Sequence, residues 1–273
     1  MANDQTQQSS SLGYQVKGSG ATTLVLLRGL ARWSEHWLGF DDLLVEQGYR
    51  VLVIDNRGLG KSRHLKLESQ DGIHLFAEDV AAVIAKEAPF GAHVIGTSLG
   101  GMIALALASG RPHLVKSLTI INSSFASSKK KRLTFKAAVA LAFVALGLQS
   151  GYLKLASALL GSGASIDLKS QLASRWSTID IISKVELSTL FTQIRAAKRF
   201  IGLTESAAIR CPVRIIKSAG DLFIDPANSD FIQKQIKGSS IAIHPNAGHE
   251  IAFEDPTWLS KEIGQFIRSC SAS

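Results

Sequence analysis

Gly96-Thr97-Ser98-Leu99-Gly100, followed at once by Gly101 and the apolar run Met102 to Ala108, is the stretch that decides the fold. The residues before it, Ala92-His93-Val94-Ile95, read as a short buried strand, and the run after it reads as a helix apolar on nearly every face. A G-x-S-x-G between a strand and a helix sets its serine on a sharp, strained turn, with the hydroxyl exposed. The residues two before and two after must be small for that turn to close. Gly96 and Gly100 meet this demand, and Gly101 lets the helix lie close to the strands. The first N–H groups of the helix lack partners inside it and point at the serine, where an oxyanion can be held. Ser98 is therefore the candidate nucleophile, and the backbone N–H of Leu99 a candidate oxyanion donor.

On either side of this turn, strands alternate with helices. Leu12 to Val16 is a weak strand, and Thr23 to Leu27 is a continuous apolar run that suits a fully buried parallel strand. Ser34 is placed to cap a helix running through Trp37, Phe40 and Leu44 and ended by Gly48. Tyr49 to Ile54 is the next strand, and Ile73 to Glu87 a helix with Phe76, Val80, Val83 and Ile84 on one face. Lys116 to Ile121 is a further strand, after which the alternation stops and the chain reads as helical to about Arg210. It resumes with the strand Val213 to Lys217, a helix from Pro226 to Ile236, the strand Ser240 to His244 and a helix from Pro256 to Arg268. The class expected is α/β, a mostly parallel sheet with helices on both faces and a helical cap inserted after the sixth strand. Residues 1–11 are expected to be a disordered tail, 12–124 and 211–273 the core, and 125–210 the cap.

Asp55-Asn56-Arg57-Gly58-Leu59-Gly60-Lys61-Ser62 invites a nucleotide-binding reading, because Gly60-Lys61-Ser62 imitates the end of a phosphate loop. The full motif needs glycine where this chain has Asp55, so the stretch is read as a structural turn after a strand.

A nucleophilic serine needs a base for its proton and a carboxylate to orient that base. His249 follows the last strand in Asn246-Ala247-Gly248-His249-Glu250, and histidine titrates near neutrality. The other histidines fit less well. His93 lies inside a strand as a core residue, and His64, His74 and His113 sit on surface loops or helices. His244 ends its strand too early, and His36 follows the first loop, where it is a candidate for lining the pocket. For the acid, Asp221 lies in the first turn past the strand ending at Lys217, while Asp225 precedes Pro226 and has the look of a helix N-cap. Asp221 is the favoured candidate and Asp225 the alternative. The second oxyanion donor falls in the loop after the first buried strand, at the N–H of Leu30.

Arg28-Gly29-Leu30, the Asp55 to Ser62 turn, Gly96 to Gly101, Asp221 to Pro226, and Gly248-His249 with Glu254-Asp255-Pro256 occur in one order along the chain. Together they resemble the α/β-hydrolase superfamily, in its serine carboxylesterase and lipase-like branch with a helical cap. The resemblance covers Leu12 to about Arg268 except the cap. It implies an ester hydrolase with Ser98, Asp221 and His249 as its triad, Leu30 and Leu99 as its oxyanion hole, and no cofactor or metal. Serine at position 98 argues against the branches that use aspartate there. One departure is Arg28, where relatives usually carry histidine to prop the oxyanion loop. Arg28 either braces the same loop or meets a substrate carboxylate from the pocket wall. The same triad also fits a thioester or carbon–carbon bond hydrolase, and the fold also serves as a ligand-binding receptor with little turnover.

The 273 residues carry a net charge of +8 and are 46% hydrophobic, enough for one large core and suggestive of an anionic partner. Four of the cations, Lys129, Lys130, Lys131 and Arg132, precede the apolar run Leu133 to Leu148 in the cap. They read first as a solvated turn and otherwise as a contact for an anionic membrane or an acidic carrier. No aromatic residues interleave with the run, which argues against nucleic acid. The partner that the triad and the resemblance imply is a small apolar ester. Cys211 and Cys270 read as free thiols in a reducing compartment. With no apolar leader and no run of membrane-spanning length, the location expected is cytoplasmic, peripheral to the inner face of a membrane if the basic run binds lipid.

Overall fold

Thr23–Leu27 forms strand β2, and its last four residues are buried. Leu24 and Leu26 point into one apolar layer while Val25 and Leu27 point into the other, the period-2 consequence of a strand covered on both faces. The computed structural model describes residues 11–125, 139, 150–182, 185–202 and 209–271. Its sheet has seven strands. They are β1 (Tyr14–Lys17), β2, β3 (Arg50–Ile54), β4 (Ala92–Thr97), β5 (Val115–Ile121), β6 (Val213–Ser218) and β7 (Ser240–His244). The spatial order is β1-β3-β2-β4-β5-β6-β7, parallel throughout except for β1, which runs antiparallel to β3 at the edge.

Helices α2 (Ile73–Glu87) and α3 (Leu99–Gly110) cover one face, with Phe76, Val80, Ile84, Ile103 and Leu107 in its core. The other face is covered by α1 (Phe40–Glu46), which brings Phe40 and Leu44, and by the C-terminal helix, which brings Leu259, Ile263 and Ile267. The helix expected to run from Ser34 is in fact broken. Ser34–Trp37 is one 3₁₀ turn, and the chain reverses through Leu38 (φ 55°) and Gly39 (φ 94°) before α1 begins. Two contacts impose the break. Asp55, at the end of β3, accepts the Ser34 N–H at 2.7 Å, and Trp37 folds back to stack on Phe40 at 5.6 Å.

Three described helices lie between β5 and β6: α4 (Ser150–Leu159), α5 (Ile166–Ile182) and α6 (Leu187–Arg199). Among the described residues this insertion follows the fifth strand rather than the sixth, because only one antiparallel edge strand, β1, joins the four parallel strands β2 to β5 ahead of it. Leu155, Leu159, Leu172 and Trp176 form a small core of their own with Phe223 and Ile224 from the loop after β6. Lys129, Lys130, Lys131 and Arg132 lie outside the described residues, as does Leu133 to Leu148 apart from Val139. Past β6 come α7 (Ala227–Gln235), the short α8 (Ile251–Glu254) and α9 (Pro256–Ser271). Among the described residues, no helix is long and apolar enough to cross a membrane. Cys211 and Cys270 are both free thiols, and burial pushes the Cys211 thiol up to about 11, so it stays protonated.

The Asp55 to Ser62 stretch is a braced turn. Asp55 accepts the Lys61 N–H at 2.8 Å, and the Ser62 hydroxyl donates to the Asp55 carbonyl at 2.6 Å while accepting the Gly13 N–H at 2.7 Å. Burial raises the pKa of Asp55, and the backbone N–H groups of Lys61 and Ser34 oppose the rise.

Candidate active site

The register of the parallel strands brings their carboxyl ends to one edge. Leu27 of β2 lies beside Gly96 of β4, Thr97 beside Ile121 of β5, and Ser218 of β6 beside His244 of β7. The loops leaving these ends carry every candidate residue. Ser98 sits between β4 and α3 at φ 56° and ψ −115°, a conformation few side chains adopt. A Cβ on Gly96 would run into the Gly100 carbonyl, and one on Gly100 into the Leu27 carbonyl, so both positions are closed to larger residues. The turn is bolted to β5: the Ser98 N–H donates to the Ile121 carbonyl at 2.8 Å, and the Ser123 hydroxyl donates to the Ser98 carbonyl at 2.7 Å.

His249 and Asp221 are both buried, and His249 Nδ1 lies 2.7 Å from Asp221 Oδ2. An ionised carboxylate can only accept, so Nδ1 carries the proton and Nε2 is left as the basic nitrogen. The other carboxylate oxygen, Oδ1, accepts the N–H groups of Phe223 at 2.8 Å and Ile224 at 2.9 Å. Burial works against the imidazolium of His249, but the charge of Asp221 and then that of Glu250 outweigh it, so the pKa stands above its ordinary value of 6.5. Asp225 serves the backbone instead, its Oδ1 accepting the Ala227 N–H at 2.9 Å at the start of α7.

Ser98 and His249 face one cavity, whose walls include Leu155, Leu159 and Trp176 of the insertion and Phe223. Leu30 lines it from the loop after β2, and Gly29 lies so close that a Cβ there would stand 3.8 Å from Ser98 Oγ. Leu99 opens α3, whose first hydrogen bonds run from the N–H groups of Gly101 and Met102 to the Ser98 carbonyl. Its own N–H therefore precedes the helical ladder.

Two residues expected at the pocket do not line it. Arg28 is 1% exposed beneath the loop, its Nη2 donating to Glu250 at 2.9 Å and its guanidinium lying 4.7 Å over the Trp37 ring. His36 is enclosed edge-on between Trp33, at 4.2 Å, and Trp176, at 5.5 Å. Each is held away from the cavity by these partners, and Arg32, just past the turn at Ala31 (φ 54°), lines the wall instead, its guanidinium 4.0 Å over Trp176. Breaking the Arg28–Glu250 pair would strand a buried guanidinium, two of whose nitrogens have no partner among the described residues. Glu250→Gln is expected to cost about 3–5 kcal/mol of stability, read by urea unfolding. A loss below about 1 kcal/mol, the worth of an exposed pair, would show that the charges are solvated.

The other histidines are structural or peripheral. His93 accepts or donates at 2.7 Å to the Ser117 hydroxyl, and burial, aided by Lys116, lowers its pKa to about 4, so it is neutral in the core. His244 Nδ1 accepts the Ala247 N–H at 2.8 Å and so shapes the loop that carries His249.

Several supporting residues escaped the sequence reading. Asn122 (φ 45°) donates from Nδ2 to the carbonyls of His249 at 3.1 Å and Gly248 at 3.3 Å, and accepts the Ser218 N–H at 2.9 Å. It ties β5, β6 and the histidine loop together. The end of α4 is keyed into the same loop: a Cβ on Gly248 would strike the backbone of Leu159 to Gly161, and one on Gly161 the Asn246 carbonyl. Glu254 accepts the N–H of Gly248 at 2.8 Å and of Gly161 at 3.0 Å, and the Glu250 N–H donates to the Leu159 carbonyl at 3.1 Å. Asn122 and Gly161 leave in the sequence only an asparagine after an apolar strand and a glycine at a helix end, and neither names a partner.

Residues 22–256 match the family model described as alpha/beta hydrolase fold, and the chain belongs to that family. It is 27% identical over 250 residues, 84% of this chain and 85% of the relative, to RutD of Klebsiella pneumoniae subsp. pneumoniae, provisionally named a carbamate hydrolase. A shorter match, 35% over 114 residues, joins it to the pimeloyl-[acyl-carrier protein] methyl ester esterase of Sodalis glossinidius, covering 42% of this chain and 41% of that one. Among solved structures, the enol-lactonase of Burkholderia xenovorans LB400 superposes with a TM-score of 0.77 at 19% identity, covering 94% of this chain and 96% of the other.

Proposed function

We propose that the chain is a serine hydrolase of carboxylic esters with an apolar acyl or alcohol group. The observation that carries this reading is the buried His249–Asp221 pair, held at 2.7 Å beside the cavity that Ser98 lines. In the reaction, Ser98 Oγ bonds to the ester carbonyl carbon as its proton passes to His249 Nε2. The carbonyl electrons move onto oxygen, which takes hydrogen bonds from the N–H groups of Leu30 and Leu99. Collapse breaks the bond to the alcohol oxygen, which leaves with the proton from His249, and an acyl-enzyme remains. Water, deprotonated by His249, repeats the sequence and releases the acid. The walls formed by Leu155, Leu159 and Phe223 favour apolar substituents on the substrate.

The methyl ester esterase among the relatives supports ester cleavage, while RutD favours a carbamate as the second reading. A panel of p-nitrophenyl esters of rising chain length, with a matched thioester and a matched carbamate, separates them by kcat/KM. Labelling by a fluorophosphonate probe tests the nucleophile itself, and a folded preparation that takes no label would remove the proposal.

The charge around His249 sets the pH response. Only the neutral imidazole can act as base, so kcat/KM is expected to fall on the acid side through a pKa above 6.5. Glu250 helps hold that pKa up, so Glu250→Gln should move the acid limb to lower pH. A pH–rate profile of both proteins decides it, and a limb that stays in place would mean that the Glu250 charge does not reach the imidazole.

A further inference from the structure

Gln193 is fully buried, although it belongs to α6 in the insertion and lines no part of the cavity. Its Oε1 accepts the backbone N–H of Ala31 at 2.8 Å, across 162 residues of sequence. Ala31 follows Leu30 in a turn closed by the Arg32 N–H on the Gly29 carbonyl at 3.2 Å. With Ala31 at φ 54°, this is the arrangement of a type II turn, which favours glycine at its third position. In such a turn the N–H of the third residue points outward and finds no partner within the turn. Here that N–H is buried, and the partner supplied is the amide of Gln193.

We propose that Gln193 is the positioning residue of the oxyanion hole, holding the Gly29 to Arg32 turn in the one conformation that aims the Leu30 N–H at the site. The inference rests on Leu30 being an oxyanion donor, as the ester hydrolase reading has it. An alanine at positive φ resists the turn, because its Cβ disfavours that region. Without the amide, nothing on the insertion side rewards the Ala31 N–H for pointing outward, and the Leu30–Ala31 peptide is free to rotate. The Leu30 N–H, which belongs to the preceding peptide, then sits in a segment no longer clamped on its far side. A donor that faces the site for only part of the time is worth less to the transition state, where preorganisation matters most.

The placement of α6 adds to the argument. The helix is moored over the loop after β3 by Lys66–Glu186 at 2.7 Å and by Arg195 Nη1 donating to the Ser69 carbonyl at 3.0 Å. Thr189, one turn before Gln193, packs against Gly58. Gln193 is thus delivered to the turn after β2 by a helix seated on its neighbour. The seating of the insertion and the shape of the oxyanion hole are one event.

The test uses the full chain with Gln193→Met, which keeps length and apolar bulk but has no amide acceptor, and Gln193→Asn, which keeps the amide but is too short to reach. Circular dichroism and thermal melting identify the folded variants. On a short p-nitrophenyl ester, kcat is expected to fall by about 10–100-fold with KM within about twofold, the scale of a small misplacement. The rate of phosphonylation by a fluorophosphonate should fall in parallel. Adding Ala31→Gly to either variant should recover about threefold or more of the lost kcat, because glycine takes the positive φ unaided. A folded variant that keeps parental kcat, or a loss that Ala31→Gly leaves untouched, overturns the inference. Failure of both single variants to fold, with the Ala31→Gly combinations also unfolded, makes Gln193 a core residue and overturns it too. A parent that takes no phosphonate overturns the ester hydrolase reading instead, a result distinct from all of these.

Discussion

Ser98→Ala is expected to lower ester turnover by roughly 10⁴–10⁶-fold while leaving the melting temperature near that of the parent. The size follows from the loss of the hydroxyl that the ester hydrolase reading has bonding to the substrate carbon. What remains is binding and the oxyanion hole, which accelerate an attack by water alone. The fold is expected to survive because the bonds that hold residue 98 belong to its backbone. Its N–H meets the Ile121 carbonyl, and its carbonyl meets the Ser123 hydroxyl and the first turn of α3. Alanine has the same Cβ as serine and faces the same strain at φ 56°. Steady-state kinetics on a clean preparation check the result, and retention of most of the activity would take Ser98 out of the mechanism.

Asp221→Asn is expected to cost up to about 10⁴-fold in kcat, and the surroundings of the carboxylate explain why so small a change does so much. Oδ1 accepts two backbone N–H groups, from Phe223 and Ile224. An asparagine must keep its carbonyl oxygen there, because its NH₂ group would clash with both donors. The NH₂ then faces His249 Nδ1 and donates to it. His249 is forced to carry its proton on Nε2, where it can no longer take one from Ser98. Asp225→Asn should act on stability instead, by no more than about 1 kcal/mol, since the new carbonyl can still accept the Ala227 N–H. Kinetics and urea unfolding of the two variants separate the roles, and the reverse pattern would assign the acid to Asp225.

The parts of this molecule written in local pattern were legible before the structure. Thr23–Leu27, Ile73–Glu87 and Ser240–His244 have the bounds read from periodicity, because continuous apolar runs and a 3.6-residue stripe leave few alternatives. Gly96 and Gly100 announced the turn at Ser98 because steric closure tolerates nothing larger. Contacts between distant residues were not legible. Nothing near Ser34 tells that Asp55 will take its N–H and interrupt the helix. Arg28 stood out by its departure from the usual histidine, yet its partner Glu250 lies 222 residues away, and Arg32 lines the cavity in its place. Asn122 and Gln193 are ordinary polar residues in sequence, and only the fold shows them to be buried braces.

The meeting of Gly161 with Gly248 bears on how such an enzyme can change its specificity over time. Insertions of this kind invite exchange, since a new set of helices between β5 and β6 would bring a new pocket wall to an old reaction centre. In this chain the insertion touches the histidine loop backbone to backbone, with Glu254 bridging the two glycines. A transplanted insertion bearing any side chain at the position of Gly161 would push the loop outward and take His249 with it. Recombination is therefore constrained at this joint: donor segments are compatible here when they bring their own glycine, and without it drift in substrate preference has to proceed residue by residue along α4 and α5.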